Sequence, residues 1–280
     1  MKILVTGATG RLGSRLVPRL LLRGDSVRVL ARNPVSTDSF RKQGLEIAIG
    51  DLLDGESLAR AVHGVEAVVH LAAYFRGATP DEVQKVNLDG TLALAQATVD
   101  GNVNRFVFAS TNLVYGPGHG TVFQEQAPPQ PDSPYPVSKF AAEQALMKFH
   151  QTQGLDLRIL RLAFVYGEGD PHLAEGLRWF RQWNPNQQMH LVHHADVAQA
   201  TILALNTPGI DGEIYNVADN EPVAVGEIMR LYGENIAEEA LIRPLNPAWH
   251  QLVDTGKIRN ELGFHPIYPA LRDAVSAGRL

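Results

Sequence analysis

Tyr135 and Lys139 stand four residues apart at the start of a helix-forming stretch, so both side chains leave one helix face. An ammonium beside a phenol, aided by the positive field of a helix amino terminus, stabilises the tyrosinate and draws its pKa from ~10 toward neutrality. That pairing makes Tyr135 a candidate general acid or base. A second set of hydroxyls closes the run Phe106-Val107-Phe108-Ala109-Ser110-Thr111. At the carboxyl end of a parallel strand a hydroxyl can hydrogen-bond a substrate oxygen as charge develops on it. Ser110 and Thr111 compete for that place, because alternation along a strand points only one of them at the substrate.

Near the amino terminus, Thr6-Gly7-Ala8-Thr9-Gly10-Arg11-Leu12-Gly13 follows an apolar run and precedes a helical pattern. Gly7, Gly10 and Gly13 let backbone approach a pyrophosphate, and a helix amino terminus offers unpaired N–H groups to it. Thr9, Arg11 and Leu12 belong to the same dinucleotide-binding turn. The second apolar run ends Leu30-Ala31-Arg32-Asn33, with Ala31 where an NAD-selective fold carries a carboxylate for the ribose. Arg32 can instead pair with a 2′-phosphate and stack on the adenine, so NADP(H) is preferred, with NAD(H) as the other possibility. Asp51, with Leu52 beside it, follows the third run; its carboxylate can accept from the adenine amine or cap a helix.

The elements that must position these residues are legible as alternation. Ile3 to Val5, Val27 to Leu30, Ile47 to Ile49, Ala67 to Leu71, Phe106 to Ala109 and Leu157 to Leu162 read as strands buried on both faces. Helices are expected at about 11 to 22, 55 to 62, 81 to 101 and 136 to 153, the first containing Pro18, which can bend it. The class is α/β: a doubly wound parallel sheet, or Rossmann fold, with a small interleaved carboxy-terminal cap. The dinucleotide-binding domain covers 1–165, with a returning strand near 213–217, and 166–280 forms the substrate-binding cap. The Gly- and Pro-rich segment 116–136 reads as a lid-like loop, in which His119 and Phe123 are candidate substrate contacts.

Composition narrows the partners. With 25 Lys and Arg against 30 Asp and Glu, the net charge of −5 speaks against nucleic acid and anionic membranes, both of which need a clustered positive field. No apolar run approaches the ~20 residues that span a bilayer, and glycine arrives too early for a signal peptide, so a cytoplasmic protein is expected. The absence of cysteine removes disulfides, thiol nucleophiles and thiolate metal sites.

The ordered set Thr6 to Gly13, Asp51, His70-Leu71-Ala72-Ala73, Asn87, Ser110 to Gly116, Tyr135 to Lys139, Arg161, Val165-Tyr166-Gly167 and His193 to Ala198 resembles the extended short-chain dehydrogenase/reductase superfamily. This branch is also called the NAD-dependent epimerase/dehydratase family. The resemblance implies an enzyme with a Thr111, Tyr135 and Lys139 centre, in which Lys139 also binds the nicotinamide ribose, and it adds Leu71, Ala72 and Ala73 to the cofactor wall. Members acting on nucleotide sugars often carry an Asn near Ala163 or Phe164 and an Arg-Asp pair where this chain has Met189-His190. The run from Leu160 to Asp170 looks closer to dihydroflavonol-reductase-like members, and Gly167 to His190 is a short stretch to enclose a nucleoside diphosphate.

The expected function is therefore hydride transfer between a nicotinamide and a carbonyl or secondary alcohol of a small substrate. The alternative is a sugar or nucleotide-sugar epimerase or dehydratase that oxidises transiently. His190, His193 and His194 share helical spacing but read as structural, so no metal is expected. Trp179, Phe180 and Trp183 read as packing of the cap or as pocket wall. A homodimer is expected through the helices at 81–101 and 136–153, where Leu88, Leu92, Ala95, Val99, Phe140, Ala141, Ala145 and Phe149 recur at helical spacing.

Overall fold

Runs of Val, Ile and Leu without polar alternation cannot present one face to water, and in the computed structural model they form the strands of a covered sheet. The structure describes residues 1–75, 77–118 and 120–280; His119 lies outside the described residues. The first part of the chain alternates β1 (Lys2–Thr6), α1 (Gly13–Leu22), β2 (Ser26–Ala31), α2 (Asp38–Lys42), β3 (Glu46–Ile49), α3 (Gly55–Val62) and β4 (Ala67–His70). Then come α4 (Pro80–Gln84), α5 (Gly90–Asp100), β5 (Arg105–Thr111), β6 (Val122–Phe123), α6 (Pro134–Gln153), β7 (Leu157–Leu162) and β8 (Phe164–Tyr166). The remainder holds α7 (His172–Phe180), β9 (Gln188–Met189), β10 (Leu191–His193), α8 (His194–Asn206), β11 (Glu213–Val217), β12 (Val223–Ala224), α9 (Val225–Leu231), β13 (Leu252–Val253), α10 (Gly256–Leu262) and α11 (Leu271–Ser276).

The central sheet has seven strands in the order β11-β7-β5-β4-β1-β2-β3. β1 pairs in parallel with both β2 and β4, so the winding reverses there and a crevice opens beyond the carboxyl ends of those strands. This is the doubly wound arrangement expected from the sequence. Two compact units divide the chain: Met1–Ser110 with Ser133–Leu160 and Thr201–Ile214, and Thr111–Asp132 with Arg161–Ala200 and Tyr215–Leu280. In the first, Leu4, Val68, Phe106 and Phe108 of the sheet bury fully against Leu58 of α3, Leu94 of α5 and Leu146 of α6. In the second, Leu173, Phe180, Leu191, Val225 and Ile228 form a separate core, with Trp183 packed against it.

Three departures from the sequence reading have physical causes. The helix expected at 81–101 is broken by a π-helical segment, Lys85–Asp89, which turns Asn87 inward. The 34–42 stretch is a 3₁₀ turn followed by α2, with the Asn33 side chain accepting from Val35 N–H; these elements were not anticipated. Segment 116–136 is a fastened strap, because β6 pairs with β13 and Gln130 N–H donates to the Val114 carbonyl at 3.0 Å. α1 runs unbroken through Pro18. Among the described residues no helix is long and apolar enough to cross a membrane.

Candidate active site

The turn after β1 is closed by glycine. Gly10 N–H donates to the Gly7 carbonyl at 3.0 Å, and Gly7 has φ +69°. A Cβ on Gly7 would lie 2.6 Å from Ala72 N, and one on Gly13 would lie 2.2 Å from the Gly7 carbonyl oxygen. The turn can therefore fold on itself and pass against the chain leaving β4 only without side chains at these positions. No side chain caps α1; instead Ser14 N–H donates to the Gly10 carbonyl at 3.0 Å and the Arg15 and Leu16 N–H groups to the Leu12 carbonyl at 3.1 and 3.0 Å.

Beyond the turn lies a cleft of about 280 Å³ bordered by Gly7, Thr9, Gly10, Arg32, Asp51, Leu52, Leu71, Ala72 and Ala73, all expected there, together with Tyr74 and Val86. Arg11, Leu12, Gly13, Tyr135 and Lys139, also expected at the cofactor, do not border it. At its mouth an exposed Arg32 donates to the Tyr74 hydroxyl at 3.2 Å, its guanidinium 5.9 Å from the ring centre. Helix capping falls to Asp54, whose carboxylate accepts from Glu56 N–H at 3.1 Å. Asp51 instead accepts from Leu53 N–H at 2.9 Å, so the capping role considered for it belongs to its neighbour.

Behind the cleft runs a buried hydrogen-bond chain. Ala72 N–H donates to Thr6 Oγ1 at 3.3 Å, Thr6 Oγ1 lies 2.6 Å from His70 Nδ1, and His70 Nε2 lies 2.9 Å from Thr91 Oγ1. Thr91 donates to the Asn87 carbonyl at 2.7 Å, so it must accept from His70, which places the ring proton on Nε2. Burial, reinforced by the Lys139 charge, holds His70 well below the usual histidine range. Asn87 accepts from Tyr74 N–H at 2.7 Å and donates to the Tyr74 carbonyl at 2.9 Å and to Ser138 Oγ at 3.0 Å. One inward amide thus joins the cleft wall to the helix of Tyr135 and Lys139. Tyr74 and the positioning role of Asn87 were missed in the sequence, since a π-helical turn has no periodicity signature.

Tyr135 is half-buried, with its ring edge-on to Phe75 at a centroid distance of 4.7 Å. Burial raises its phenol pKa, the reverse of the lowering expected from Lys139. The reason is desolvation, which penalises the tyrosinate. Lys139 is 1% exposed, its Nζ lies 3.8 Å from the centre of the Phe108 ring, and burial brings its pKa down to about 7 against the opposing charge of Glu143. Ser110 donates its proton to buried Glu143. Thr111 Oγ1 accepts from Leu113 N–H at 3.2 Å and keeps its own O–H to donate. The two hydroxyls thus differ in their partners: Ser110 serves Glu143, and Thr111 caps its own turn.

The family model described as NAD dependent epimerase/dehydratase family matches residues 3–218. The chain belongs to that family. Its fold is similar to the dTDP-glucose 4,6-dehydratase of Streptomyces venezuelae solved with NAD bound, with a TM-score of 0.82, 29% identity, and coverage of 99% of this chain and 95% of that one. It is similar also to the UDP-glucose 4-epimerase of Thermotoga maritima solved with UDP-glucose, with a TM-score of 0.83, 25% identity, and coverage of 98% and 96%. In sequence it is 29% identical to a 4-hydroxy-2-methyl-3-oxo-4-farnesyl-3,4-dihydroquinoline-1-oxide ketoreductase of Stigmatella aurantiaca, over 82% of this chain and 72% of that protein.

In this epimerase/dehydratase-family enzyme the second unit is held by its own polar contacts. Arg161 donates to the Tyr115 hydroxyl at 2.9 Å and the Glu125 carbonyl at 3.1 Å, and Tyr115 stacks on Phe123 at 4.8 Å. Trp183 lies 5.4 Å from the rings of both Phe180 and Trp249, which is packing of the cap. His190 accepts from Val253 N–H at 3.2 Å and donates to the Asp219 carbonyl at 3.1 Å; burial pushes its pKa down to about 4. The cluster that does converge is Glu168, His193 and His194, whose ligand-type atoms lie within 4.8 Å of one another. His193 Nδ1 accepts from Ala195 N–H at 3.1 Å, so Nε2 carries the proton that faces the Arg279 carbonyl at 3.0 Å and Glu168 at 3.2 Å. Glu168 also lies 3.3 Å from His194 Nε2, so one carboxylate faces both imidazoles.

Proposed function

We propose that this enzyme transfers hydride between a nicotinamide dinucleotide in the cleft beyond β1 and a carbonyl or secondary-alcohol carbon of a small substrate, with Tyr135 moving the proton. The observation that carries the reading is one short stretch of chain: Tyr74 borders the cleft, and Phe75, the next residue, packs on Tyr135. The glycine turn supports a dinucleotide there, because its tight backbone, possible only without side chains at Gly7 and Gly13, borders the cleft at the amino-terminal end of α1. When bound, it supplies or accepts the hydride.

The chain's own residues do the rest. A phenol held protonated by burial is a resting proton donor, which suits reduction of a carbonyl. Thr111 offers an O–H to the developing alkoxide. Lys139 supplies positive charge on the Tyr135 face of α6 and is the proposed partner of the nicotinamide ribose. Arg32, with Ala31 before it, favours NADP(H) over NAD(H) through pairing with a 2′-phosphate.

A second reading, a sugar or nucleotide-sugar epimerase or dehydratase, is favoured by the solved relatives that hold NAD or UDP-glucose. One experiment separates the readings. The purified protein is offered a panel of ketones and aldehydes with NADPH or NADH, and in parallel UDP-glucose and dTDP-glucose with NAD. Net loss of nicotinamide absorbance with a carbonyl supports reduction. Conversion of a sugar nucleotide without net absorbance change supports the second reading, and neither response refutes both.

We further propose a homodimer through α5 and α6. Leu92, Phe140, Ala141 and Ala145 are half-buried on these helices, which fits a face awaiting a partner. Ala95, counted on that face in the sequence, is fully buried in the core instead.

A further inference from the structure

A lysine that is 1% exposed beside an aromatic ring has lost almost all of its hydration, and an ammonium there needs a compensating charge. One helical turn beyond Lys139 on α6 stands Glu143, itself 2% exposed. A buried carboxylate needs donors in turn, and Ser110, at the end of β5 and 3% exposed, gives it one. We propose that Glu143 is the positioning residue of the centre: the buried counter-charge that keeps Lys139 an ammonium, itself locked in place by Ser110. The inference rests on the reading of Tyr135 and Lys139 as the proton-transfer pair.

The surroundings leave Glu143 this task. From β4, His70 faces Lys139 and is held neutral, contributing no negative charge. From β5 come the Phe108 ring and Ser110, neither of which is charged. On α6 itself Tyr135 is a protonated phenol. The adjacent α4 and π-helical segment carry Asp81, Glu82, Lys85 and Asp89, all exposed to water, where screening weakens their reach. Glu143 is the carboxylate whose charge opposes the effect of burial on Lys139. The arrangement also accounts for the neighbouring hydroxyls: one serves the counter-charge and the next is left for substrate.

The test reads the ionisation of Lys139 directly. Lysine is labelled with ¹³C at Cε, and the Lys139 resonance is assigned by its absence in Lys139→Arg. In the wild-type protein the resonance should titrate near or above neutral pH. In Glu143→Gln, which still accepts from Ser110, the midpoint should fall by at least about one pH unit, a tenfold change in the ionisation equilibrium. Glu143→Asp, which keeps the charge, should restore most of the shift. The basic limb of the kcat profile should move to lower pH in parallel. An unchanged midpoint in Glu143→Gln overturns the proposal, as does a wild-type Lys139 already neutral well below pH 7, a measurement that needs no folded variant of Glu143. Because the resonance is read without turnover, a shifted midpoint with no hydride transfer in any variant would indict the functional reading and leave the counter-charge standing.

Discussion

Asn87 donates to Ser138 Oγ at 3.0 Å, a contact that joins residues 51 positions apart and ties the π-helical segment to the helix of Tyr135 and Lys139. Asn87 is 1% exposed and its amide also holds both backbone groups of Tyr74. Asn87→Leu removes these bonds and strands buried polar partners, so it should cost about 2–4 kcal/mol in urea unfolding. It should also weaken cofactor binding, since Tyr74 forms part of the cleft. A variant as stable as wild type would mean that water replaces the amide.

Tyr135→Phe keeps the ring against Phe75 and removes only the hydroxyl. Turnover should fall by at least ~10²-fold, the scale of a lost general acid, with the dissociation constant of the cofactor nearly unchanged. Near-normal turnover would remove Tyr135 from the mechanism.

Arg32→Asp should reverse the charge met by a 2′-phosphate. The expected loss of NADPH affinity is about 1.5–3 kcal/mol, with a relative gain for NADH, measured by fluorescence titration of both cofactors. Equal losses for the two would show that Arg32 serves only its contact with Tyr74.

His70 carries a pH signature. Its folded-state pKa lies below the unfolded value of 6.5, so the unfolded chain binds the extra proton as pH falls through 6.5. Stability should therefore be complete above 6.5 and decline below it, by up to about 1.4 kcal/mol per pH unit for one histidine. His190, brought down to about 4, adds to the same slope. Denaturant unfolding of His70→Gln between pH 5 and 7 should show a shallower decline than wild type; an identical slope would place the acid sensitivity elsewhere.

Leu92→Glu should convert the proposed dimer to monomer in light scattering at micromolar concentration. Phe149 is a poorer test than its spacing suggests, because it packs against the protein's own core. A monomeric wild type, or a dimer that survives Leu92→Glu with Ala145→Glu, would refute this surface.

Where the chemistry depends on local chain order, the sequence by itself determined this protein closely. The strand Leu157–Leu162 and the returning strand Glu213–Val217 stand where their apolar runs lie, and the glycine turn follows β1 as its spacing required. Such features arise from steric and hydrophobic constraints that act over a few residues. Tertiary structure decided what depends on partners far along the chain. Ser110 and Thr111 are equivalent as strand-end hydroxyls until Glu143, 33 residues away, claims the first. The phenol of Tyr135, expected to be acidified by its neighbour, is instead governed by burial, and burial is a property of the packed molecule. Asn87 turns inward only because α4 and α5 are joined through a π-helical turn, a distortion stabilised by Tyr74 and Ser138 across the unit. A residue's type and spacing state what it can do; its desolvation and its distant partners select which of those things it does.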